Sequence, residues 1–353
     1  MIGIEQVDCW RRWSRPLFTH NDLRLIDGRL EQLQHAPYFH EGLRHYLSDL
    51  RALIAQLQRA NLPPQLAVQL TTLIWRALRY LSGSVSREIP YEVVYGLDLA
   101  LRDWVPQPPN YVITTGFLAE PNYHFAGVPE NFYKLAETMF GVRFDHRVVQ
   151  VALPQLYKHF PLNNSVLYHE LGHFVDERFG ISKLMLLIQQ STGQAGPISS
   201  PPHAAEFFSD LFGACYVGEA ITVMIDSLAP DAASSPTHPA TSDRKQVVAS
   251  FLAGTPNDVV TLCNQALAAV QLEPLRRRFS EPQVDAQFDN VRPYVIQSHD
   301  EVHGLLLAGQ KYLNNRIKNL NGMWAQVKEG DAIRMINDLV EKSLRNWMIR
   351  ERW

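Results

Sequence analysis

The sequence predicts an α+β protein that is mainly helical, with a small mixed sheet in its middle and helical regions on either side. Three observations carry that prediction. Leucines recur at helical spacing near the amino terminus (Leu43, Leu47, Leu50, Ile54, Leu57), and leucine and valine spacing repeats the pattern over 247–272 and from about 301 to 350. Between these regions lie short runs of strand character at 110–116, 122–127 and 147–153. In the same middle region His169 and His173, and then Glu206 and Asp210, stand at i,i+4, the spacing that puts both members of a pair on one helical face.

In chain order, residues 20–82 form a helical front region interrupted at Pro63-Pro64. The run Asn-Tyr-Val-Ile-Thr-Thr-Gly at 110–116 reads as a strand, 122–127 as another, and the β-branched stretch 147–153 as a third ending at Pro154. Asn163-Asn164-Ser165 then offers capping oxygens to a helix with Val166, Leu167, Phe174 and Val175 as its apolar stripe and Gly180 as its stop. Residues 191–202, dominated by Gly, Ser, Gln and Pro, read as a loop and a candidate mobile lid, and a second loop spans 230–239. Thr241-Ser242-Asp243 caps a further helix through Val247, Val248 and Phe251, with Arg244 in its first turn. The expected division is a helical region 1–105, a middle domain 106–255 that carries the chemistry, and a helical region 256–353. No internal repeat is seen.

Composition narrows the class. The chain has 353 residues, 46% hydrophobic and 20% charged, enough for a sizeable core and about two domains. Its net charge of −3 gives no electrostatic reason to expect nucleic acid, and the short run Arg276-Arg277-Arg278 reads as a solvated face. Cys9, Cys215 and Cys263 are three in number and far apart, which excludes a disulfide framework and suits a reducing compartment. The segment from Met1 to Trp13 is polar and charged, and no run approaches the roughly 20 apolar residues of a membrane span. A cytoplasmic location with no membrane partner is expected.

The pentapeptide His169-Glu170-Leu171-Gly172-His173 has the H-E-x-x-H form of a zinc site with an adjacent general base. Two imidazoles one helical turn apart can bind one tetrahedral ion, and Glu170 beside them can take a proton from the attacking water. Catalytic zinc commonly needs a glutamate as third ligand, and Glu206 is the candidate. Asp210, one turn on, is placed to accept a ring N–H from His169 or His173. Its alternative is a solvated acidic pair. Asp176 is a candidate acceptor or cleft residue, or an exposed aspartate in the last turn. His203 is a lesser candidate ligand, because Pro201-Pro202 suggests that it precedes the helix. A developing oxyanion needs a fixed donor, for which His238 and Arg244 are candidates; the alternative is a loop histidine and a solvated arginine. The second pair, His299 and His303, lacks a glutamate next to its first member and reads as part of a surface helix. His35, His40 and His45, five apart, walk around a helix as scattered surface positions.

With those residues in place, the segment from about 165 to 244 resembles the gluzincin metallopeptidases, which pair H-E-x-x-H with a glutamate on a second helix and an acid four residues later. His-Glu-Leu-Gly-His-Phe-Val-Asp (169–176) and Ala-Glu-Phe-Phe-Ser-Asp (205–210) are similar to the zinc domain of anthrax lethal factor and its kin. Thr237-His238-Pro239 followed by Arg244 is similar to the H-P-x-x-x-x-R tail of the CaaX-processing peptidases. The chain departs from the first in having no tyrosine shortly before Glu206, and from the second in having no membrane helices of that type. The resemblance implies a zincin-like core, with the strand before the H-E-x-x-H helix as one wall of the cleft. It also implies Zn2+ held by His169, His173 and Glu206, and hydrolysis of a cytosolic protein or peptide. Two function classes follow. One is an active zinc endopeptidase, which the intact Glu170 favours; the other is a zinc-stabilised binding or regulatory protein that kept the fold without turnover. In either case the flanking helical regions are expected to select substrate, bind a regulatory partner or hold the protein latent.

Overall fold

The computed structural model describes residues 20–36, 42–84, 91–105, 110–118, 122–191, 196–318 and 322–352. Cys9, His40 and the segment from Met1 to Trp13 lie outside the described residues. The architecture is mainly helical with a small three-stranded mixed sheet, as the sequence predicts. Its strands are β1 (Asn110–Leu118), β2 (His124–Gly127) and β3 (His146–Pro154), in the order β1-β3-β2. The Asn110 N–H donates to Asp145 O and the Thr114 hydroxyl to Val149 O, a constant offset that makes β1 and β3 parallel. Both strands are buried through their centres, as parallel neighbours are, and their Val and Ile content follows from that.

The chain forms two compact units. The first comprises Met1–Arg87, Gln107–Gly116 and Gly127–Gln150. Its described helices are α1 (His20–Leu33), α2 (Gly42–Leu57) and α3 (Pro64–Gly83), followed after an interval by α5 (Glu130–Phe140). The break foreseen at Pro63-Pro64 is the start of α3, where a proline's missing N–H costs no intrahelical bond. The leucine spacing of α2 buries Leu43, Leu47, Leu50, Ile54 and Leu57, and an aromatic cluster of Tyr46, Phe132, Tyr133 and Phe144 extends that core.

The second unit comprises Glu88–Pro106, Phe117–Ala126 and Val151–Trp353. Helix α4 (Tyr91–Trp104) is followed by α6 (Val166–Phe179), α7 (Ile181–Ser191), α8 (Pro201–Val217) and α9 (Ala220–Leu228). After these come α10 (Thr241–Ala253), α11 (Asp258–Ala269), α12 (Asp285–Asp289), α13 (His299–Lys318) and α14 (Glu329–Arg352). These limits differ from the three segments read from the sequence, and side-chain contacts give the reason. Helix α4, assigned to the front by order along the chain, accepts an ion pair from Arg345 of α14 at Glu92 (2.6 Å), and Trp104 Nε1 donates to the Tyr216 hydroxyl of α8 (2.8 Å). The rear helices likewise pack on the middle: Tyr168 of α6 meets His303 of α13 (2.9 Å).

Several local expectations change. Helices α5, α7 and α9 are not expected from the sequence. The pattern over 247–272 is two helices, parted where Gly254 takes a left-handed φ of 67° and Asn257 caps α11. Asn163–Ser165 form a 3-10 turn ahead of α6 instead of capping it, because Ser165 Oγ donates back to Leu162 O and Asn164 Nδ2 to Tyr157 O. Thr241 does not cap α10 either; its hydroxyl donates to Ala229 O at 2.6 Å. Gly180 does end α6, in the left-handed conformation (φ 69°).

Candidate metal centre

Helices α6 and α8 build the site. They pack closely enough that a Cβ on Gly172 would lie 2.7 Å from Ser209 Cα, so the glycine inside the pentapeptide sets their approach. Helix α8 begins sharply: Pro201 and Pro202 fill its first positions and Ser200 caps it by accepting the His203 N–H. The two prolines thus start the helix rather than precede it, and His203 lies in its first turn. Glu206 follows one turn later and Asp210 one turn after that, both buried.

Across the helix pair, His169, His173 and Glu206 each offer a ligand atom, and all these atoms lie within 4.8 Å of one another. His169 Nε2 and His173 Nε2 are 3.0 Å apart with the rings perpendicular (89°). Glu206 Oε2 is 3.5 Å from His169 Nε2, and Glu206 Oε1 is 3.4 Å from His173 Nε2. Ligand atoms at about 2.0–2.1 Å from a tetrahedral ion stand roughly 3.3 Å apart, a spacing these three distances bracket. Glu206 Oε2 is buried without a well-aligned hydrogen bond, although Arg244 Nη2 is 3.1 Å away. A cation held by His169, His173 and Glu206 would satisfy that oxygen, so the donor set fits a metal ion.

The surroundings are arranged around those three. Asp210, fully buried, places Oδ1 2.9 Å from His169 Nδ1, an ion-pair distance short of hydrogen-bond alignment, and accepts two bonds of 2.7 Å from Arg244 Nε and Nη2. Burial opposes ionisation of Asp210, yet Arg244 and then His169 outweigh it and hold its carboxyl below the usual range. Glu206 behaves in the same way: burial pushes its carboxyl up, but His173, His169 and Arg244 lower it to about 2. Glu170 is different. Burial pushes its carboxyl up, and although His169 and His173 pull against that, it stays raised. Glu206 and Asp210 are thus held as anions, while Glu170 keeps the higher proton affinity of the three.

Arg244 is buried on the first turn of α10 with its guanidinium on Asp210 and Glu206, not in solvent. Its Nε and Nη2 serve the two carboxylates, so the alternative of a solvated arginine does not hold. His238, with a side chain 56% exposed, brings Nε2 to 3.5 Å from Glu206 Oε1 while Thr237 Oγ1 lies 2.9 Å from its Nδ1. The expected acceptor role of Asp176 is replaced: its carboxylate accepts the Ser182 N–H at 2.6 Å and closes the turn between α6 and α7. His203 offers no ring nitrogen to a metal, since Ser199 Oγ lies 2.7 Å from Nδ1 and Ser235 O lies 2.6 Å from Nε2. The His299/His303 pair departs from a surface helix, because His303 is only 3% exposed.

A cavity of about 510 Å³ is lined by His169, His173 and Glu206 and also by Glu170, His238 and Arg244. Its far wall is apolar, with Met224, Ile225 and Leu228 from α9. That wall was not read from the sequence, although the run Ala220–Ile225 directly after α8 carries the apolar signal. Among the described lining residues none comes from β3, and Asn122, just ahead of β2, comes from the strand region. Comparison with protein-family models, with curated proteins and with solved structures gives no match.

Proposed function

We propose that this chain is a zinc-dependent endopeptidase that hydrolyses peptide bonds of a protein or peptide substrate, with Glu170 as general base. The convergence of His169, His173 and Glu206 in the floor of a cavity that Glu170 also lines is the observation that carries the reading. When bound, zinc supplies Lewis acidity, lowering the pKa of water to about 7 and polarising the scissile carbonyl. Glu170 takes the proton of the attacking water at a carboxylate oxygen and returns it to the leaving amine. Its raised pKa suits that traffic at neutral pH better than an ordinary glutamate would. The charge of Asp210, 2.9 Å from His169 Nδ1, favours the proton on that nitrogen and leaves Nε2 for the metal, and Arg244 offsets the charge of both carboxylates. His238 Nε2, at the cavity side of Glu206, is the donor for the carbonyl oxygen as negative charge develops there. The wall of Met224, Ile225 and Leu228 receives an apolar side chain next to the scissile bond.

The test is Glu170→Gln, which keeps the shape and removes the base. Zinc content and fold are expected to remain, while cleavage of substrates found in a proteome-wide search for new termini falls about 10²- to 10⁴-fold. If the variant acts like the wild type, hydrolysis is not the function. The zinc-stabilised binding or regulatory protein then takes its place.

A further inference from the structure

We infer that His203 is a positioning residue: it ties the loop that carries His238 to the helix that carries Glu206. The segment between α9 and α10 closes on itself in two places. At its base the Thr241 hydroxyl donates to Ala229 O (2.6 Å) and the Thr241 N–H to Ala232 O (3.0 Å). At its tip Ser235 N–H donates to His238 O (2.9 Å) and His238 N–H to Ser235 Oγ (3.0 Å), so Ser235 and His238 belong to one turn. Neither closure attaches the tip to the rest of the site. His203 does: its Nε2 is 2.6 Å from Ser235 O, at the root of that turn.

The chemistry of the contact is determinate. A carbonyl oxygen only accepts, so His203 Nε2 carries the proton; in the neutral ring Nδ1 is the acceptor, satisfied by the Ser199 hydroxyl at 2.7 Å. Both ring nitrogens are used, and the ring is buried. Glu206 is one turn further along the same helix, so the two side chains that meet at 3.5 Å, His238 Nε2 and Glu206 Oε1, are referenced to a single rigid element. An exposed loop histidine held only by its own turn would sample many positions. Anchoring through His203 fixes where its donor points, and a donor misplaced by about 1 Å loses much of its effect. The residue acts through His238 and not on substrate.

The inference deepens the peptidase reading, and its test has one arm that does not depend on it. Hydrogen–deuterium exchange of the zinc-loaded protein reports the loop directly. Exchange over 229–241 should speed up about ten-fold or more in His203→Phe, which removes both bonds, and stay near wild type in His203→Gln, which keeps a donor near Nε2. Ser199→Ala, an exposed change that loosens the ring without touching the core, should give a smaller increase and serves should His203→Phe fail to fold. Unchanged exchange over 229–241 in folded His203→Phe or in Ser199→Ala overturns the inference. So does loss of zinc from His203→Phe, which would make it part of the ligand shell. In the kinetic arm, His203→Phe lowers kcat with KM and zinc retained, and the double variant with His238→Ala is no slower than His238→Ala alone. Multiplying effects would mean that His203 does not act through His238. A wild type without proteolytic activity would sink the peptidase reading and leave exchange to decide the anchor.

Discussion

Two helices of the second unit carry histidines at the same spacing, His169/His173 on α6 and His299/His303 on α13, and the structure surrounds them with opposite chemistry. On α6 the facing helix brings Glu206 and Asp210 to the rings. Burial pushes the His169 imidazolium down, but Asp210, Glu206 and Glu170 together leave it raised. On α13 the neighbours are aromatic. His303 Nδ1 lies 2.9 Å from the Tyr168 hydroxyl, the Tyr216 ring packs 4.9 Å away, and burial with a contribution from His299 drives its pKa down to about 3. His299 packs edge-on against Trp347. The spacing thus puts two rings on one face, and the charge of whatever faces them decides whether a ring gains proton affinity, as His169 does, or loses it, as His303 does.

The largest expected effect separates the two pairs by metal content. If the proposed zinc site is right, His169→Ala, His173→Ala and Glu206→Ala should each lower zinc content in metal analysis of the purified protein, whereas His299→Ala combined with His303→Gln should leave it at the wild-type level. Loss of zinc in the latter would erase the distinction. A smaller effect is expected from Asp210→Asn, which leaves the ligands but replaces the charged partner of His169. Competition with a chromophoric chelator should show zinc affinity reduced about 10- to 100-fold, and an unchanged affinity would detach Asp210 from the site.

The smallest effect sharpens the other side of the comparison. Folded His303 is held neutral with its pKa near 3, while in the unfolded chain it titrates near 6.5. Between those values the unfolded state binds more protons, so this contribution to stability is complete above about pH 6.5 and is lost as pH falls, by roughly 1.4 kcal/mol per unit. His303→Gln should remove that slope: urea unfolding at pH 7 and pH 5 should show a smaller drop in the variant than in the wild type. Equal drops would mean that His303 is not the buried neutral group described.

What the sequence discloses about the site follows from helical geometry. His169, His173, Glu206 and Asp210 are legible because i,i+4 spacing fixes which side chains share a face, and their helices do meet. The α+β class was legible for the same reason, since β-branched runs and leucine spacing have different periods. Long-range partners were not. Nothing local to Arg244 announces that its guanidinium ends on Asp210, or that α4 joins the second unit through Glu92 and Arg345. Asp176 misled because a carboxylate one turn beyond His173 looks available until Ser182 takes it. His203 misled in a more instructive way: the prolines before it read as a barrier to helix, while at a first turn they are its start.

The glycine between Glu170 and His173 gives the pentapeptide a meaning its pattern does not express. In the formula that residue is an x, a position open to anything. In this protein a single added carbon at 172 collides with the main chain of the opposing helix at 2.7 Å, and the next neighbour, Phe212 Cβ, is at 3.1 Å. An alanine there must drive α6 and α8 apart, carrying Glu206 away from the histidines although every donor is still present. The letter left blank in the motif is therefore the ruler of the site: it measures the gap across which Glu206 meets the two histidines.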